Sequence, residues 1–162
     1  MKRIITLIGV CLLILILASC GKPEAKKFKK IENKEKKDVY ETFAEVKADA
    51  EKWNEMGADE EVVSDIRDKQ IPKCEEILEK VKKIEAETPE LELLNQKYIK
   101  IIELHIEGYG LIARGTEELE DVDIEKGMEL VHEGERLLEE YNSDVSKLAK
   151  KYKVKLKNKA LK

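Results

Sequence analysis

From Val39 to Leu148 the apolar residues recur at steps of three and four, and no run before residue 151 alternates with period two long enough to build a sheet. Val39, Phe43, Val46, Ala50 and Trp53 share one helical face. Gly57 and Asp59 break the pattern, and Val62, Val63 and Ile66 resume it. Pro72 removes a backbone donor and crowds the preceding turn, which predicts a kink or restart before Cys74, Ile77, Leu78, Val81 and Ile84. Thr88-Pro89-Glu90 reads as an N-cap, a first-position proline and a first-turn acid. It opens a third helix carrying Leu91, Leu94, Tyr98, Ile101, His105, Ile112 and Leu119, apolar on other faces between Tyr98 and Ala113, and so predicted to be central. Asp121-Val122-Asp123 reads as a turn, and Ile124, Met128, Val131, Glu135, Leu138, Tyr141, Val145 and Leu148 mark a fourth helix, with Glu135 its one polar stripe member and a weak point at Asn142-Ser143-Asp144. The expected fold class is all-α, an antiparallel bundle of about four helices over residues 38–152.

Charged side chains make up 41% of the chain and aromatics 5%, with eight Gly, three Pro and three Cys, which excludes a collagen-like repeat and a disulfide scaffold. Only one segment is continuously apolar. It runs from Ile4 to Leu17 after the basic Met1-Lys2-Arg3, shorter than the roughly 20 residues a spanning helix needs and suited to a secretory leader. The quartet that follows, Leu17-Ala18-Ser19-Cys20, resembles the lipobox of bacterial lipoprotein precursors. The resemblance covers the first twenty residues. It implies a signal peptide over 1–19, cleavage between Ser19 and Cys20, a diacylglyceryl group on Cys20 and an acylated new amino terminus. One acyl chain holds a protein to a bilayer marginally and two hold it stably. The expected location is therefore the cell membrane, lipid-anchored, on the extracytoplasmic side. No family is suggested for residues 38–162.

Charge is laid out in blocks. Residues 22–37 hold eight Lys against three Glu, residues 38–146 hold 13 basic against 32 acidic side chains, and residues 147–162 hold eight Lys and no acid. The first block, with the lipidated Cys20, is expected to be a flexible, solvated basic tether over 20–37. The last is expected to be a helix end running into a basic tail over 153–162, its cations suiting the negative end of the helix dipole. A functional alternative for it is contact with an anionic envelope polymer or lipid. Nucleic acid is not an expected partner, because the protein is exported and its body acidic.

Gly108, Gly110, Gly115, Gly127 and Gly134 all fall in the last two helical segments. Each costs about 1 kcal/mol against alanine in a helix interior. Their spacing suggests a close-packed antiparallel seam centred on Asp121, with Gly108 facing Gly134 and Gly115 facing Gly127, small residues letting two backbones approach. The alternative is that Gly108-Tyr109-Gly110 breaks the third helix.

Chemistry-bearing residues are few. Glu129-Leu130-Val131-His132 has the Glu-x-x-His spacing of di-iron bundles, which need two such motifs and further carboxylates. His105 is expected to be a hydrogen-bonded core residue and His132 to lie at the surface. Cys74, left alone once Cys11 departs with the leader and Cys20 is modified, is expected to pack as a small buried hydrophobe. There is no haem-attachment motif, phosphate loop or nucleophile elbow, so neither a cofactor nor a metal nor an enzyme is expected. The expected role is an envelope interaction or scaffold module with an envelope protein as partner. The alternative is a small-ligand or metal-binding lipoprotein using a pocket near His105, Tyr109 and the hairpin glycines.

Overall fold

The computed structural model describes residues 23–56 and 60–157. The lipobox and the last five residues fall outside that range. The described residues are helical almost throughout and contain no strand. Helices α1 (Pro23–Lys30) and α2 (Lys37–Met56) are joined by a π-helical turn over Ile31–Glu35. Helix α3 (Glu60–Asp65) passes through a second π turn, Ile66–Gln70, into α4 (Ile71–Lys82). Two long helices follow, α5 (Pro89–Glu118) and α6 (Asp121–Tyr152). Pro72 sits in the first turn of α4, just after the second π turn, so α3 runs on into α4 with the departure from α-helical spacing placed just before the proline. The Thr88 hydroxyl accepts the Leu91 N–H at 3.3 Å and so caps α5. Asn142-Ser143-Asp144 runs on as helix inside α6, and Gly108-Tyr109-Gly110 does the same inside α5.

Side-chain pairs fix the topology. Trp53 Nε1 donates to Asp65 at 3.1 Å and Gln70 Nε2 to Asp49 at 3.2 Å, so α2 and the α3–α4 arm run antiparallel. Asn95 Nδ2 reaches the Val81 carbonyl at 3.1 Å, folding α5 back along α4. Phe28 meets Tyr152, Tyr40 meets Tyr141 and Lys47 meets Glu135, so the α1–α2 arm lies antiparallel to α6 from Phe28 to Lys47. The result is an up-down-up-down four-helix bundle, closed by the first arm against the last. Helix α5 is the one enclosed on most sides, with Leu91, Leu94, Tyr98, Ile101, Ile102 and Tyr109 buried among its neighbours.

Three boundaries differ from expectation. The basic segment is no tether from Pro23 onward. Phe28 is fully buried and Ile31 nearly so, because they continue the apolar stripe of α2 toward the amino terminus. The tail is likewise docked as far as Lys157. Val154 and Leu156 pack against the core, and the Asn33 side chain donates to the Lys155 carbonyl at 3.0 Å while accepting the Lys157 N–H at 2.7 Å. The third correction concerns the hairpin. The turn is Leu119-Glu120, with Leu119 left-handed at φ 59°, while Asp121-Val122-Asp123 form the first turn of α6. Acids there favour the positive end of the helix dipole, so a stretch that looks like a polar loop is a helix start.

That shift changes the glycine register. Gly108 faces Gly127: a methyl group on Gly108 would lie 2.7 Å from the Gly127 carbonyl oxygen, and one on Gly127 would lie 2.6 Å from that of Gly108. Gly115 meets Glu120 and Ile124, and Gly134 meets the His105 ring. The expected pairs Gly108–Gly134 and Gly115–Gly127 do not form, because the hairpin is centred about two to three residues earlier than Asp121.

Candidate functional site

His105 and Tyr109 lie one turn apart on α5, and the fold places both on a cleft of about 190 Å³ between α2, α5 and α6. Phe43 stands edge-on to His105 with ring centres 4.9 Å apart, Tyr109 lies 5.7 Å from the same ring, and Trp53 stacks edge-on to Tyr109 at 5.3 Å. Gly134 makes room for the imidazole, since a methyl group there would come within 2.6–2.7 Å of the ring. His105 Nδ1 is 2.8 Å from the Ile101 carbonyl oxygen, an acceptor, so Nδ1 carries the proton and Nε2 keeps a lone pair. Burial pushes the imidazole below its ordinary value against the pull of that hydrogen bond, which leaves the ring neutral. At the mouth, Lys47 and Glu135 are 3.7 Å apart, Met128 is half exposed, and His132 Nδ1 is 3.4 Å from Glu135. The cleft therefore offers an aromatic floor, one neutral acceptor or donor group and a rim carrying both charges. No Ser, Thr or Cys lines it. Cys74 is buried elsewhere in the core, its thiol pushed up to about 12 by burial. Among the described residues no three His, Cys, Asp or Glu side chains gather closely enough to hold a metal ion.

A second cluster lies where only a tether was expected. Glu32 and Lys36, each 1% exposed, sit 3.5 Å apart on the π turn that joins α1 to α2. Tyr40 donates its hydroxyl proton to Glu32, and the Tyr40 and Tyr141 hydroxyl oxygens lie 2.5 Å apart. Lys36 Nζ donates to the Tyr141 hydroxyl at 3.0 Å and stands 5.4 and 5.1 Å from the centres of the Tyr98 and Tyr141 rings. Burial lowers the Lys36 ammonium from its ordinary value, with the Glu32 carboxylate opposing the shift. Its sequence signal was the i,i+4 spacing of Glu32 and Lys36 between Phe28-Ile31 and Val39-Tyr40, hidden in a lysine-rich stretch.

All five tyrosines hold their protons above the ordinary value. Burial raises Tyr40, Tyr98, Tyr109 and Tyr141, and the Glu90 carboxylate beside Tyr152 raises it to about 12. A raised native value means the unfolded chain releases these protons first, so their contribution to stability is complete below about pH 10 and is lost as pH rises above it. An alkaline titration followed by phenolate absorbance should stay flat through pH 10 and then rise together with loss of helicity. A normal tyrosine step with helicity intact would contradict the burial of these rings.

The two basic blocks meet at one end of the bundle. Asn33 ties the α1–α2 arm to the backbone of Lys155 and Lys157, and the Phe28 and Tyr152 rings lie 5.7 Å apart between them. The α5 amino terminus joins the same end through Glu90, which accepts from Lys151 and Tyr152. No family model, no curated protein and no solved structure matches the chain. Cys20 lies outside the described residues, three positions before the first residue of α1, and no described helix is long and apolar enough to cross a membrane.

Proposed function

We propose that the protein is a lipid-anchored, extracytoplasmic helical bundle that serves as an interaction or scaffold module of the cell envelope. The observation that carries this reading is Leu17-Ala18-Ser19-Cys20 at the end of an apolar leader. The docked α1 supports it, since three residues of chain reach about 10 Å and would hold the bundle next to its anchor. The surface away from that end is acidic and carries an apolar hairpin tip, Leu119 at 88% and Val122 at 61% exposure. Replacing Cys20 by Ser should leave the precursor at full length in its native host, with no lipid mass added. A variant that still matured and gained lipid would overturn the assignment.

A second reading has one observation in its favour: the cleft that brings His105, Tyr109 and Trp53 together with charged groups at its rim. Its ligand would be a small aromatic or apolar molecule bearing a polar group. Indole and phenol serve as probes in a thermal melt, where a ligand at 100 times its dissociation constant adds about 2.7 kcal/mol. Stabilisation that disappears in Tyr109→Ala would support the cleft, and equal melting with and without either probe would count against it.

A further inference from the structure

We propose that the two lysine blocks form a single basic end face that docks on the anionic headgroups of the membrane and stands the bundle on end. The blocks are far apart in sequence: Asn33 and Lys155, the residues that join them, are separated by 122 positions. Leaving out the buried Glu32–Lys36 pair, residues 23–37 contribute six Lys and two Glu, and residues 147–157 contribute six Lys and no acid. Three of the carboxylates at this end are already engaged, while Glu24 makes no salt bridge among the described residues. Glu87 pairs with Lys27, Glu35 with Lys30 and Glu90 with Lys151. Lys26, Lys29, Lys34, Lys150, Lys153 and Lys155 are exposed and make no salt bridge among the described residues.

The rest of the bundle has the opposite sign, with 32 acids against 13 bases over residues 38–146. A basic end and an acidic body respond oppositely to a negatively charged surface. Attraction acts within a Debye length of about 8–10 Å, while α6, with 32 residues, carries the hairpin tip about 48 Å away. Repulsion of the acidic flanks disfavours lying flat. The occupant is a bilayer rather than a soluble polyanion because the chain leaves this same end toward Cys20. The orientation thus rests on the anchor reading for its tether, while the basic face itself does not.

The test takes the protein from its native membrane and reconstitutes it in vesicles of phosphatidylcholine alone or mixed with phosphatidylglycerol. Surface lysines are then acylated and the sites quantified by mass spectrometry. On anionic vesicles, labelling of Lys29, Lys34, Lys150 and Lys155 should fall several-fold and recover in high salt, while Lys126 near the hairpin stays unchanged. Substituting Lys150, Lys153 and Lys155 together by Gln should remove the protection at Lys29 and Lys34. Equal labelling on both vesicles would overturn the proposal, and so would protection of Lys126, which means a bundle lying flat. Protection by added polyphosphate but not by phosphatidylglycerol would overturn it in favour of a polymer ligand. The intact mass of the same preparation reports the anchor separately: protection without lipid on Cys20 sinks only the anchor, and lipid without protection sinks only the docking.

Discussion

Glu32→Ala is expected to cost the bundle about 3–5 kcal/mol, because it strands the Lys36 ammonium in the core without its carboxylate. The Tyr141 hydroxyl still accepts from Lys36, but a neutral oxygen and two ring faces do not replace a buried counter-charge. Replacing both partners, Glu32→Leu with Lys36→Met, should recover most of that loss, since an apolar pair removes two desolvation costs together. Urea denaturation of the three proteins reads this directly. A single variant as stable as the wild type would show that water reaches the pair and that the α1 end opens readily. The double variant separates loss of charge balance from loss of packing volume.

The second large effect lies in the α5–α6 hairpin. Alanine raises helix propensity by about 1 kcal/mol over glycine at any of these positions. Gly110 has nothing within 4 Å of an added methyl group, so Gly110→Ala should stabilise by about that amount. At Gly108 and Gly127 the same methyl would press into the opposite backbone, and neither helix can yield without moving the whole seam. Overpacking of this kind costs about 1–3 kcal/mol, so Gly108→Ala and Gly127→Ala should both destabilise. Valine at either position should be worse. One substitution type thus carries opposite signs two residues apart. Denaturation midpoints that rise for all three alanine variants would mean the helices are not in close contact.

The helical body was legible because period and punctuation agree there. The stripe from Val39 to Trp53, the Thr88 cap and the apolar girth of α5 each point to the same bundle. The α1 segment was not legible, because only Phe28 and Ile31 among its lysines report burial, and the Glu32–Lys36 pair looks like surface until Tyr141, 109 residues away, is placed over it. The hairpin centre was missed for a different reason. Leu119 takes a left-handed conformation that ordinarily draws glycine or asparagine, so nothing in the sequence marks it, while the acids just after it resemble a loop. An error of about two to three residues there moved every expected glycine partner. His105 and Tyr109 could be placed on one face by spacing alone, but Trp53 and Gly134, which complete their surroundings, come from helices whose register the sequence does not state.

Cys74 has a practical consequence. Its sulfur is fully enclosed and its proton is held to about pH 12, so almost no thiolate exists near neutrality and none of it meets solvent. Two copies of the native chain therefore cannot cross-link through it, even where oxidants are plentiful. The sulfur becomes reachable only when the bundle opens, so the rate at which an alkylating reagent consumes it is a clock for that opening, already built into the unmodified polypeptide.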